Sequence, residues 1–239
     1  MTIPRFVASE IDFCQGDAAI PRLFETNDRE FADSKGEILR VDPVRWMKAQ
    51  QYERDAWMVH NANSEDANNE HWALLFDQYT SLPDHLGDVV EWGAGPFTNL
   101  RIILQERRAR RVVLTDPLIR EYLNHPQCAY KGHMLNGLPV ETWSVTAEDY
   151  QPGPVFHTAV MINVLHHCYD ARQALRNLRD CLRPNGIVVF GEWPREIDPV
   201  LEYDEGHPLA PHADTLEDFI SQFETLYRNG WFFIGRRAW

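Results

Sequence analysis

Residues 87–99 read Gly-Asp-Val-Val-Glu-Trp-Gly-Ala-Gly-Pro-Phe-Thr-Asn, and this stretch constrains the chain more than any other. An apolar pair, Val89 and Val90, ends in an acid, Glu91. Two glycines follow one residue apart, Gly93 and Gly95, and a helix is expected from about Thr98. The reading is a buried strand that passes through a glycine turn into a helix. Such a turn lets a ligand approach the backbone, because no Cβ stands in the way. It also aims the free N–H groups of the helix start at that ligand. The acid at the strand end is expected to repel a pyrophosphate and to favour a cationic or amine-bearing ligand.

The remainder of the chain alternates in the same style. Val112–Thr115 reads as a second strand ending in Asp116-Pro117, and Trp143–Val145 as a third ending in Ala147-Glu148-Asp149. Ala159–Asn163 is a fourth strand. Ile187–Phe190, fully apolar, is a fifth, as a central parallel strand should be. Residues 124–140 read as loop with room for a short helix. Asp170 with Gln173, and Asp214 with Glu217, are capping-box patterns that open helices. Pro184-Asn185-Gly186 is a turn, and Asn229-Gly230 between apolar runs signals a closing hairpin.

Upstream, Asp42-Pro43 starts a helix that places Trp46, Gln50, Glu53 and Trp57 on one face. A second helix, carrying Trp72, Leu75, Phe76 and Tyr79, is expected before Pro83. The fold class is therefore α/β: a Rossmann-like, doubly wound sheet, mostly parallel with an antiparallel C-terminal hairpin, plus an N-terminal helical lid. The expected division is an arm and lid over residues 1–82 and the Rossmann-like domain over 83–239.

Composition excludes several functions. Among 239 residues the net charge is -13, whereas nucleic-acid binders usually show a basic face. The dense basic run Arg107, Arg108, Arg110 and Arg111 reads as a solvated helix end. Four scattered cysteines, Cys14, Cys128, Cys168 and Cys181, suggest neither a zinc knuckle nor a disulfide framework. No apolar stretch reaches membrane-spanning length, and no apolar leader core is visible. A reduced, cytoplasmic protein that binds neither nucleic acid nor membrane is the expectation, with a homodimer left open. Eight tryptophans leave two readings open, an aromatic-lined pocket and a Trp-rich core.

In open α/β sheets, ligands bind beyond the carboxyl ends of the strands. Glu91, Asp116, Glu148, Asp149 and Asn163 all stand at such ends. Here the pattern resembles the class I S-adenosylmethionine-dependent methyltransferases, over about residues 87–192. Their acid-x-Gly-x-Gly-x-Gly turn is matched by Glu91-Trp92-Gly93-Ala94-Gly95-Pro96-Phe97. Met161-Ile162-Asn163-Val164-Leu165-His166-His167 resembles their strand-four motif, and Leu182-Arg183-Pro184-Asn185-Gly186 their turn before strand five.

The resemblance implies S-adenosylmethionine as cofactor, with S-adenosylhomocysteine as product. Gly93, Ala94 and Gly95 would run beside its methionine part, with Glu91 near the amine. Asp116 would accept from the ribose hydroxyls, and Glu148 or Asp149 from the adenine amine. Asn163 belongs to the same cofactor-facing set. Two departures stand out: Phe97 replaces the third glycine, and Asn185 replaces a glycine in a turn that asparagine tolerates. The rival is a dinucleotide-dependent oxidoreductase, whose fingerprint needs glycine or alanine where Thr98 stands.

For an oxygen acceptor a base must take the proton, and His166 and His167 follow strand four, where the methyl group should lie. Trp46, Gln50, Tyr52 and Trp57 on the lid, with His207 and His212 after strand five, are the expected acceptor-binding residues. No metal is expected, because His207 and His212 lack a recognised ligand spacing. The strand-four motif lacks the Asn-Pro-Pro-aromatic form of nucleic-acid amine methylation. The expected activity is thus O-methylation of a small molecule or glycoside. The alternatives are an N- or C-methyltransferase, and a non-catalytic S-adenosylmethionine-binding regulator or scaffold.

Overall fold

The computed structural model describes residues 31–34, 36–60, 79–194 and 205–238. Cys14 and the expected second helix up to Phe76 lie outside them. Strand β1 spans His85–Trp92, β2 Arg108–Thr115, β3 Met134–Leu135, β4 Leu138–Trp143, β5 Phe156–Ile162, β6 Leu182–Gly191, β7 Phe223–Asn229 and β8 Phe232–Arg237. They form one sheet in the order β3-β4-β2-β1-β5-β6-β8-β7. The five central strands β4, β2, β1, β5 and β6 run parallel. The C-terminal β7–β8 hairpin adds antiparallel strands at one edge, as expected. The chain winds outward from β1 in both directions, so the switch in strand order lies between β1 and β5, the place where such sheets bind ligands.

Helices cover both faces: α1 (Pro43–Asp55), α2 (Leu100–Glu106), α3 (Ile119–Tyr122), α4 (Ala171–Asp180) and α5 (Ala213–Ile220). Alternation along the strands sorts the core. Val90, Trp92, Val113, Met161, Val188 and Phe190 point to one face, against Trp46, Leu175, Leu178, Leu216 and Phe219. Val89, Val112, Leu114, Val160 and Val189 point to the other, against Leu100, Ile103 and Ile119. Two buried faces explain why the central strands read as continuous apolar runs.

Local chemistry sets the helix starts. The Asp42 carboxylate accepts from the Arg45 N–H, and that of Asp170 accepts from the Gln173 N–H, so both N-caps form as expected. Asp214 is not an N-cap. It lies within the first turn of α5, whose cap residue His212 makes no side-chain bond. Instead Glu37 Oε1 accepts from the His212 N–H and the Thr215 hydroxyl, a partner too distant in sequence for a capping-box reading.

The basic run departs from expectation as well. Arg108–Arg111 open β2, because two acids on neighbouring strands stand within reach. Arg110 grips Asp88 with two bonds and holds its carboxyl below the usual range, and Arg111 does the same to Glu141. The third strand runs over Leu138–Trp143 rather than 143–145, leaving Ser144–Asp149 as the loop at its carboxyl end. A short antiparallel partner, β3, pairs with it inside the stretch read as loop. Cys128, Cys168 and Cys181 are free and buried.

Candidate functional site

The glycine turn follows β1 at the switch point. Gly93 and Gly95 both have positive φ, 64° and 53°, which glycine adopts without strain. Their surroundings differ. A Cβ on Gly93 would lie 2.5 Å from the Val164 methyls, so this peptide packs against the loop after β5. A Cβ on Gly95 would meet nothing within 4 Å, so this peptide borders open space. Between them Ala94 is pinned by its N–H to the Thr115 carbonyl at 3.1 Å. Phe97, which stands where the family pattern has a third glycine, is buried and packs edge-on against Trp57 and His125.

Glu91 is buried beneath the turn. Its carboxylate accepts from the Thr98 hydroxyl, the Asn99 N–H (2.7 Å) and side-chain amide (2.9 Å), and the Leu100 N–H (3.2 Å). Burial raises its pKa, and these bonds oppose the rise. The acid thus caps α2 from outside the helix, in place of Asn99, whose side chain makes no cap. Both oxygens face the helix start, and the residue acts on the turn by holding it in place.

Asp116, at the end of β2, accepts from the Leu118 N–H at 2.8 Å and, across the crevice, from the Gly95 N–H at 3.1 Å. Each oxygen keeps further accepting capacity. Desolvation pushes its pKa up to about 6.

The two acids of the next strand end are separated by the fold. Glu148 turns inward: Oε1 accepts from the Tyr169 and Asp170 N–H groups at 2.6 and 2.9 Å. Its buried Oε2 has no hydrogen-bond partner, and burial pushes the carboxyl up to about 7. Asp149 is partly exposed and accepts from the Thr146 hydroxyl at 3.0 Å and the Tyr169 hydroxyl at 3.2 Å.

Beyond β5, Asn163 takes a positive φ of 57° and donates its N–H to the Gly191 carbonyl. Its Oδ1 lies 3.1 Å from His166 Nε2. His166 is buried, with Nδ1 2.9 Å from Glu192 Oε1, close but off the line of an aligned hydrogen bond. Glu192, also buried, accepts from the Val164 and Leu165 N–H groups at 3.1 and 2.6 Å, so it holds the histidine turn to β6. Sequence reasoning missed Glu192. Its signal was an acid directly after the fifth strand, the same rule that found the other four.

His167 and His207 complete the surroundings. His167 Nδ1 lies 3.0 Å from the Gly206 carbonyl oxygen and 3.5 Å from Glu53 Oε1. The His207 ring centroid lies 4.4 Å from that of His167 and 4.9 Å from that of His166. The structure therefore joins His207 to the strand-four histidines, while His212 sits apart from this cluster at the start of α5.

The lid residues divide. Trp46 and Gln50 are buried, and both donate to the His167 carbonyl at 3.1 Å. They dock α1 onto the histidine turn. Tyr52 is exposed and lies beside Gly206, and Trp57 sits over Phe97 at the glycine turn.

A family model described as a methyltransferase domain matches residues 90–188. The N-methyltransferase NodS from Bradyrhizobium japonicum WM9, solved with S-adenosylhomocysteine, superposes with a TM-score of 0.57 at 13% identity over 81% of this chain and 98% of that one. The 1,6-didemethyltoxoflavin-N1-methyltransferase of Burkholderia thailandensis gives 0.57 at 14% identity, over 86% and 97%. The cyclase SpnF gives 0.58 at 15% identity, over 79% and 76%. Similarity at this level speaks for a shared fold, and chemistry has to be argued from the site. With the glycine turn and the acids at successive strand ends, the match makes residues 90–188 similar to a methyltransferase domain.

Proposed function

We propose that this protein transfers a methyl group from S-adenosylmethionine to a hydroxyl oxygen of a small-molecule acceptor. The observation that carries the cofactor reading is the open space beside Gly95, bordered by Asp116. In this reading Gly93, Ala94 and Gly95 flank the methionine part, and Asp116 accepts from the ribose hydroxyls. Asp149, the accessible acid of its pair, accepts from the adenine amine, and Glu148 braces the loop from within. Asn163 positions the histidine turn at the methyl end.

Bound S-adenosylmethionine supplies an electrophilic methyl on its sulfonium. The acceptor oxygen forms the new C–O bond as the C–S bond breaks, and that electron pair leaves on sulfur. The chain's part is to hold the nucleophile in line, exclude water and take the hydroxyl proton. Three imidazoles at the expected methyl position support an oxygen acceptor, because an alcohol needs a base that a neutral amine does not. His166 or His167 is that base. Tyr52, Trp57, His207 and His212 belong to the acceptor side, over which α1 lies as the lid of the expected N-terminal division. Two structural relatives are described as N-methyltransferases, which keeps nitrogen transfer as the second reading.

The test is turnover on paired acceptors that differ only in carrying a hydroxyl or an amine, read by mass spectrometry. Methylated hydroxyl product supports the proposal. Product from the amine member alone overturns the oxygen assignment.

A further inference from the structure

Three imidazoles from two distant segments meet where α1 covers the carboxyl ends of β5 and β6. One ring nitrogen from each of His166, His167 and His207 lies within 4.8 Å of the other two. We infer that these three histidines form a binding site for a divalent transition-metal ion, with zinc the ion their chemistry suits best. This departs from the metal-free expectation, which had looked at His207 with His212 instead.

Neutral imidazole is a common ligand for zinc and other late first-row ions. Zinc–nitrogen distances of about 2.0–2.1 Å hold two ligand atoms no more than about 4 Å apart. The three nitrogens, within 4.8 Å of one another, need to close by no more than about an ångström to reach that span.

The surroundings carry the argument further. A metal-bound histidine usually gives its other ring nitrogen to a carboxylate or a backbone carbonyl, which fixes the ring. One of these rings already has that support, His167 Nδ1 from the Gly206 carbonyl at 3.0 Å, while the Glu192 carboxylate stands 2.9 Å from His166 Nδ1 without an aligned bond. On His166 the ion would take the place beside Nε2 that the Asn163 amide holds at 3.1 Å. Glu53 and Glu192 supply negative charge close by.

The geometry is also held from outside the rings. The Leu209 N–H donates to the His166 carbonyl at 3.2 Å, and Arg45 donates to the Glu205 carbonyl at 2.9 Å, so the strap that carries His207 is bonded on both sides of it. A Cβ on Gly206 would stand 2.9 Å from Glu53 Oε1, so a larger residue there would push the strap away.

Three protein ligands leave a coordination position open, the arrangement of catalytic rather than structural zinc. What the ion does there rests on the proposed function. It would polarise the acceptor hydroxyl and ease loss of its proton to solvent, taking over the part given above to a histidine base while the transfer to oxygen stays the same.

The experiment is calorimetric titration of metal-stripped protein with zinc chloride, with S-adenosylhomocysteine titrated into the same samples. The expected result is one zinc per chain, weakened about tenfold or more by His207→Ala and unchanged by His212→Ala. Thermal melts confirm that both variants stay folded. No saturable zinc binding, or equal binding by His207→Ala, overturns the inference. The cofactor reading is judged separately: S-adenosylhomocysteine binding without zinc binding removes the metal site alone, and the reverse removes the cofactor reading alone.

Discussion

Single carboxylates in this protein do different work from what their positions in the sequence suggest. Glu91 has the place of a ligand-facing acid, yet it satisfies Thr98, Asn99 and Leu100 at the start of α2. Glu91→Ala strands several buried donors and is expected to cost about 3 kcal/mol or more in urea unfolding. Glu91→Gln, which keeps the shape, should cost clearly less.

Asp116 and Glu148 carry a pH signature. Both have folded-state pKa values above their ordinary ones, about 6 against 3.8 and about 7 against 4.5. The folded state therefore holds protons that the unfolded chain has released. The stability these acids add is complete below about pH 4 and is lost as pH rises through about 6 and 7. Glu148→Gln should remove its share, leaving the variant about 1–3 kcal/mol more stable than wild type at pH 8 and close to it at pH 4.5. Equal stability at pH 8 would contradict the burial argument. The residue types at this site were legible from their strand-end positions. Which face each carboxylate takes was not, because that depends on donors brought in by α2 and α4.

At the scale of elements, the glycine turn and the docking of α1 make separate predictions. Gly93→Ala meets both a positive φ and the Val164 methyls at 2.5 Å, so it should destabilise the fold by about 2–4 kcal/mol. Gly95→Ala meets the strain alone, about 1–2 kcal/mol, and puts a methyl group where the ligand is expected. It should lose more cofactor affinity than stability, and the reverse ordering in melts and titrations would refute the open-space reading. Gln50→Leu removes one donor from the His167 carbonyl and should cost about 1 kcal/mol in stability. The start of α1 was readable because Asp42 and Pro43 are local. The burial of Trp46 and Gln50 was not, because helical spacing identifies a face without saying what that face covers. The start of β2 was misread for a related reason: Arg110 and Arg111 find Asp88 and Glu141 on other strands, and exposed bonds of that kind leave no apolar pattern.

Across the whole molecule, the parallel core and its closing hairpin were readable in outline, since strands buried on both faces leave apolar runs with turn signals between them. The convergence of three segments on the histidines was not. His207 reaches His166 and His167 only because the strap bonds to Ile38 and to the histidine turn, contacts between residues far apart in sequence. The central claim is that the crevice between β1 and β5 binds S-adenosylmethionine, with Asp116 on its ribose. Its most direct test is calorimetric titration with S-adenosylhomocysteine, with NAD as the control. The account predicts saturable binding of the first only, weakened by about 1–3 kcal/mol in Asp116→Ala. Binding of NAD instead, or S-adenosylhomocysteine binding that Asp116→Ala leaves unchanged, would contradict it.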